Sequence, residues 1–252
     1  MRHVHFDVTD STNAQARSLA GEHPGETLLV TAAEQTAGRG RQGRAWLGPH
    51  GGAWMSVVWP LRKSPPAYIG ASLAAAVAVL RALGEVVGQK ADAFTVKWPN
   101  DILLGGKKIA GVLCEQCQGG APTVGYLVIG IGVNVDFDPA LLGNDLRQPA
   151  TSLRAAQSAV PTVEDVIGAV SRRLVEVMAV FEDEGLAESI LPELRSRLAN
   201  VGTMQTVGAA GRTTTGRVLG IDAAGRLLLE CEGGVVACES GELLADAAKT
   251  ER

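Results

Sequence analysis

The segment Gly38-Arg39-Gly40-Arg41-Gln42-Gly43-Arg44-Ala45-Trp46 sets three arginines among three glycines. Arginine supplies a permanent positive charge and a planar donor fork that matches carboxylate and phosphate. Glycine lets the backbone wrap closely around a ligand. A plain solvated turn would not need glycine on both sides of Arg39 and Arg41, where it costs conformational entropy. The pattern therefore points to an anion cradle for a phosphorylated or carboxylated small molecule.

Two further groups carry chemistry. Lys97-Trp98-Pro99-Asn100-Asp101 is followed by Lys107-Lys108-Ile109-Ala110-Gly111. Asn100 and Asp101 follow a strand and a proline, and Asp101 is a candidate ligand for Mg2+, which prefers few carboxylates plus phosphate oxygens. A plain Asx turn is the competing reading. Lys108, with Ala110 and Gly111 leaving space beside it, can stabilise charge on a reacting phosphate. Adjacent strand residues point to opposite faces, so Lys107 is expected to face solvent. Ser11-Thr12-Asn13 stands at a helix start, where Ser11 suits capping. Three short polar residues exceed what one cap requires, and they suit a neutral ureido or amide ring.

The elements that must position these groups follow from pattern. Thr27 to Glu34 reads as a strand feeding the arginine loop, and Trp54 to Trp59 as a second. Pro66 to Val87 carries a 3.6-residue apolar period and reads as a buried helix. Phe94 to Lys97 is a short strand. Ile102 to Leu104 and Lys107 to Gln116 form a hairpin through Gly105-Gly106. Thr123 to Val135 is a further strand, and Asp136 to Pro149 a loop. Helices are expected from Thr162 to Phe181 and from Leu186 to Leu198. After Asn200, short Val/Thr/Leu runs separated by turns indicate a small all-β module.

Context removes two familiar phosphate motifs. Gly38-x-Gly40-x-x-Gly43 fits the dinucleotide pattern, but Gly48, Pro49, Gly51 and Gly52 follow instead of a helix. No Asp or Glu occurs between Gly43 and Glu85 to meet a ribose. Gly106-Lys107-Lys108 lacks the first glycine and the Ser/Thr of a P-loop.

With 252 residues and 46% hydrophobic content, the chain can build one large domain with a small companion. A net charge of −4 argues against a general nucleic-acid binder. No signal-peptide pattern is seen, and the stretch Ala67 to Leu80 is read as too short to span a bilayer, so a cytoplasmic location is expected. The four cysteines are read as strand residues, not as disulfide or zinc ligands.

Together these groups resemble a biotin protein ligase. The resemblance rests on Asp10-Ser11-Thr12-Asn13, the run from Glu34 through Trp46, and Lys97-Trp98-Pro99-Asn100-Asp101. It continues through Lys108-Ile109-Ala110-Gly111, Ile129-Gly130-Ile131-Gly132-Val133-Asn134-Val135 and Ala150-Thr151-Ser152-Leu153. It implies an α+β fold: a mixed β-sheet with packed helices, class II synthetase-like, over residues 1–199. A small SH3-like β-barrel would follow over residues 200–252. It implies ATP-dependent activation of biotin to biotinyl-5′-AMP, then transfer to a lysine of a biotin carboxyl carrier protein. ATP, Mg2+ and biotin would be the small molecules, with no tightly bound prosthetic group.

By the same resemblance, Ser11, Thr12, Asn13 and Gln35 would hold the biotin head, with Gly38, Arg39, Gly40, Arg41, Lys108 and Gly111 around biotin. Lys108 and Arg41 would be the catalytic groups. Arg39, Arg41, Arg44, Trp46, Asn100, Lys108 and Asn134 would meet the nucleotide. Phe137 is the sole aromatic in its loop, and no adenine-stacking residue is assigned. Ser11 lies ten residues from the start, so the short, monofunctional type without specific DNA binding is expected. A lipoate–protein ligase and a non-catalytic ligand-binding regulator are the alternatives. An edge strand leaves a homodimer open.

Overall fold

A computed structural model of the chain describes residues 1–88, 93–118, 125–143, 146, 148–157, 159–186, 189–209 and 211–244. Positions 123 and 124 of the expected strand, 144, 145 and 147 of the expected loop, 187 and 188 of the expected helix and 245–252 of the C-terminal module lie outside these residues.

The strands are β1 (Arg2–Thr9), β2 (Leu28–Arg39), β3 (Ala45–Gly48), β4 (Gly52–Pro60), β5 (Phe94–Lys97), β6 (Asp101–Leu104), β7 (Lys107–Gln118) and β8 (Gly125–Asn134). Among the described residues they form one mixed sheet, ordered β1-β2-β4-β8-β7-β6-β5, with β3 folded back on β2. Only β1 and β2 run parallel; the other pairs are antiparallel. Helix α1 (Thr12–Glu22) covers part of one face. Helices α2 (Ala71–Val87) and α4 (Val163–Glu184) cover the other, while α3 (Leu153–Ala156) and α5 (Leu191–Ser196) are short.

Strand periodicity divides the core. On β8, Leu127, Ile129, Ile131 and Val133 enter the main core beneath α2 and α4. Tyr126 and Val128 turn to the α1 side and pack with Ala16, Ala20, Leu28, Val30 and Val58. Both faces of β8 are thus partly covered, which explains its nearly continuous apolar run. The sequence Pro65–Val87 is long and apolar enough to cross a membrane, contrary to the shorter reading above. In the fold it breaks into a 3-10 turn and α2, divided at Gly70 with φ of 93°. Eleven residues of α2 are buried within the protein core.

Helix α4 starts as expected. Thr162 Oγ1 accepts from Asp165 N–H at 3.1 Å and donates to the Asp165 carboxylate at 2.7 Å. Thr162→Ala is expected to cost about 1 kcal/mol of stability. A thermal midpoint about 2–4 °C lower would show it, and an unchanged midpoint would contradict it.

The C-terminal strands β9 (Met204–Ala209), β10 (Arg212–Ile221), β11 (Leu227–Cys231), β12 (Gly234–Cys238) and β13 (Glu242–Leu243) form a separate antiparallel sheet, ordered β12-β11-β10-β9-β13. This suits a small SH3-like module, but among the described residues β12 and β13 end the order without pairing with each other, so the sheet does not close into a barrel there. Val207, Val218, Ile221, Leu227 and Leu229 share the main core with α2 and α4. Trp98 Nε1 donates to Gly225 O at 3.1 Å, seating the Lys97–Asp101 segment on this module.

Candidate active site

The sheet face that α1 leaves open is floored by glycine. Gly111 on β7 pairs with Gly132 on β8, and Gly130 lies two residues away on the same face. A Cβ on Gly130 would fall 2.1 Å from Asn13 Oδ1, and one on Gly132 would fall 2.7 Å from the Trp46 ring. A Cβ on Gly111 would fall 2.9 Å from that ring and 3.2 Å from Lys108 Cε. The three glycines therefore admit Asn13, Trp46 and Lys108 to one surface.

At one end sits an uncharged polar corner. Thr12 and Asn13 are buried at the start of α1. Thr12 N–H and Oγ1 donate to Gln35 Oε1 at 2.8 and 3.1 Å. Ser56 Oγ donates to Asn13 Oδ1 at 2.6 Å and lies 2.7 Å from Thr12 Oγ1. Asn13 Nδ2 donates to Glu115, whose other oxygen takes Arg17 at 2.8 Å. Ser11 is 2% exposed, yet its side chain makes no capping bond to α1. Capping therefore does not account for the Ser-Thr-Asn run.

At the other end is Lys108. Strict alternation back from Gly111 would point Lys108 into the core. Between β6 and β7, however, the register shifts: Ile102 pairs with Ala110 and Leu103 with Lys108. Ile109 is the extra residue of a bulge, and bulges re-aim the next side chain. Ile109 is buried in the core, and Lys108 turns to the glycine floor, with Nζ 5.0 Å from the Trp46 ring centre. Lys107 is exposed, as expected.

Asp101 Oδ1 meets Lys108 Nζ at 2.5 Å, and Asp101 Oδ2 accepts from Gln148 Nε2 at 2.5 Å. Gln148 Oε1 in turn accepts from Lys97 Nζ at 2.6 Å. Burial pushes the Lys97 pKa down, opposed by the Asp101 charge and reinforced by Lys108. Both Asp101 oxygens are thus committed. Among the described residues no cluster of three His, Cys, Asp or Glu side chains forms a metal cage. The Asp101 carboxylate is engaged as the partner of Lys108 and Gln148.

The arginine loop divides its charges. Strand β2 extends through Gly38 and Arg39, and β3 returns beside it, so much of the expected loop is a β-ribbon. A Cβ at Gly38 would meet Trp46 O at 2.5 Å, which this close pairing forbids. Arg39 is exposed. Arg41 turns inward, and its Nη1 donates to Asn100 Oδ1 at 3.4 Å. Burial lowers the Arg41 pKa, with Asp101 opposing the shift. Asn100 is fixed by donating to Val112 O at 2.7 Å. Arg44 pairs with Glu242 of β13, so it faces the C-terminal module.

Asn134 is 3% exposed and donates to Thr151 O at 2.8 Å, so its amide is a buried brace of the floor. Phe137 packs in a buried cluster with Trp54 and Leu142, and Trp46 lies against it. The cysteines are free thiols on strands. The Cys114 thiol packs against the core and burial pushes its pKa to about 12. Ser56, Glu115 and Gln148 escaped the sequence reading. Ser56 alone had a signal, as an isolated hydroxyl within an apolar strand.

One sheet face thus joins a neutral polar corner to an arginine–lysine cluster, the layout of a ligase for a small carboxylic acid. The model of the biotin/lipoate A/B protein ligase family matches residues 5–134, and that of the biotin protein ligase C-terminal domain matches residues 206–243. The chain belongs to the biotin/lipoate A/B protein ligase family. It is 36% identical to the bifunctional ligase/repressor BirA of Bacillus subtilis, over 95% of this chain and 73% of that protein. It is 34% identical to the biotin–[acetyl-CoA-carboxylase] ligase of Paracoccus denitrificans, over 90% and 93%. Its fold superposes with a TM-score of 0.80 on the Aquifex aeolicus biotin protein ligase in complex with biotin and ATP, at 25% identity and covering 96% and 97% of the two chains.

Proposed function

We propose that the chain activates biotin with ATP and transfers it to a lysine of a biotin carboxyl carrier domain. A carboxylate oxygen of biotin attacks the α-phosphorus, the bond to the β-phosphate oxygen breaks, and pyrophosphate leaves. The carrier amine then attacks the acyl carbon of biotinyl-5′-AMP, AMP departs, and the amine gives up a proton. The observation that carries this reading is the shared glycine floor, with Thr12, Asn13 and Ser56 at one end and Lys108 and Arg41 at the other.

In this reading Ser11, Thr12, Asn13 and Gln35 receive the uncharged biotin head. Lys108 meets the biotin carboxylate and the α-phosphate, where charge grows in the transition state. Arg39, Gly40 and Arg41 close over the adenylate and exclude water. Trp46 walls the floor between the two substrates, and Asn100 holds Arg41 in place. Arg44 acts from the loop root, through the C-terminal module. Mg2+ is expected to arrive on the ATP phosphates. The acidic chain is expected to work in the cytoplasm and to bind no specific DNA.

Mixing the chain with biotin, Mg·ATP and a purified carrier domain should add one biotinyl group to the carrier, read by mass. A carrier left unmodified with biotin, beside a lipoyl domain modified with lipoate, would overturn the proposal. Arg41→Gly should loosen the closed loop and release biotinyl-5′-AMP, so that bystander lysines are labelled. If the variant retains its intermediate as tightly as the parent, Arg41 is not part of the closure.

A further inference from the structure

We propose that Gln148 is a positioning residue for Lys108: it holds Asp101 from the far side and thereby fixes the ammonium that meets the reacting carboxylate and phosphate. The inference rests on the role given to Lys108 above. Four side chains form one line: Lys97 Nζ to Gln148 Oε1 at 2.6 Å, Gln148 Nε2 to Asp101 Oδ2 at 2.5 Å, and Asp101 Oδ1 to Lys108 Nζ at 2.5 Å. The Gln148 amide has only one workable orientation here. Turned over, it would set its carbonyl against the Asp101 carboxylate and its NH2 against the Lys97 ammonium. Its neighbours therefore fix it, and it fixes Asp101.

The main chain tightens the same joint. Lys108 N–H donates to Pro149 O at 2.8 Å, and Thr151 N–H donates to Lys108 O at 2.8 Å. Asn134 Nδ2 anchors Thr151 O at 2.8 Å. The segment 148–151 thus brackets Lys108 by backbone on one side and by the Gln148–Asp101 contact on the other. The bulge at Ile109 aims Lys108 at the floor, but a four-carbon stem still leaves Nζ many positions. Asp101 selects one, and an Asp101 without Gln148 would have one oxygen free to rotate away. Gln148 contacts no reacting atom in this scheme and acts only through Asp101.

The test is steady-state biotin-dependent ATP–pyrophosphate exchange on the full chain. Gln148→Met keeps the shape and removes both polar contacts. Its kcat is expected to fall roughly tenfold to a hundredfold, the scale of a misplaced reacting group, with KM for biotin within about twofold. Its thermal midpoint should stay within a few degrees. Gln148→Glu keeps the contact to Lys97 but repels Asp101, and should lose at least as much. In a Lys108→Ala background, Gln148→Met should add no further loss, since residues acting as one unit are not additive.

An unchanged or raised kcat in both Gln148 variants overturns the inference. So does a joint collapse of kcat, KM and melting temperature, which would mark a merely structural role. So does a full further loss in the Lys108→Ala background. Wild-type exchange by Lys108→Ala itself would instead remove the role of Lys108, and the two failures are thereby told apart.

Discussion

Lys108→Ala is expected to slow biotin adenylation by roughly 10²–10³, the loss typical of one strong charge-stabilising contact. The reaction brings two anions together, and charge accumulates on the α-phosphate oxygens as the new bond forms. Lys108 is the lysine that the Ile109 bulge turns onto the glycine floor, while Lys107 is exposed. Arg41 remains in the variant, so part of the positive field survives. Lys108→Arg should rescue poorly. A guanidinium is wider, and the space above Gly111 is already shared with the Trp46 ring. Single-turnover formation of biotinyl-5′-AMP measures the effect directly. A variant that forms the intermediate at the parent rate would remove Lys108 from the mechanism.

Gly130→Ala should damage biotin binding more than turnover. The added methyl would lie 2.1 Å from Asn13 Oδ1, far inside contact distance. Asn13 cannot step aside freely, because Ser56 and Glu115 hold its two amide atoms at 2.6 and 2.7 Å. Displacing it breaks one buried and one part-buried hydrogen bond, each worth about 1–1.5 kcal/mol, so KM for biotin should rise roughly tenfold to a hundredfold. Gly168→Ala on α4, where a Cβ meets nothing within 4 Å, is the control. Equal KM values for Gly130→Ala and the parent would show that Asn13 does not shape the biotin end.

Much of this site was legible because its chemistry is concentrated in short runs. The Gly-Arg loop, Ser11-Thr12-Asn13 and Lys108 all lie where few residue types would serve. The helices α2 and α4 were readable from period, and the Gly105-Gly106 turn from its two positive-φ glycines. Strand β1 was missed because its Arg2-His3-Val4-His5-Phe6-Asp7 alternation is half exposed at a sheet edge and carries a weak apolar signal. Asp101 is legible from residue type as a carboxylate near phosphate, but its contacts to Lys108 and Gln148, from two other segments, are not. The bulge at Ile109 and the Gln148 contact depend on pairing between distant segments, which no local pattern encodes. Asn134 continues the glycine-lined face of β8, and its hold on Thr151 O is a contact between distant segments that the sequence does not mark.

The most direct measurement of the central claim is ATP–pyrophosphate exchange with biotin or lipoate as the sole acid. Exchange is expected to require biotin and not to be supported by lipoate, because the corner built by Thr12, Asn13 and Ser56 suits a polar ureido ring and not an aliphatic dithiolane. Exchange with lipoate but not with biotin would contradict it.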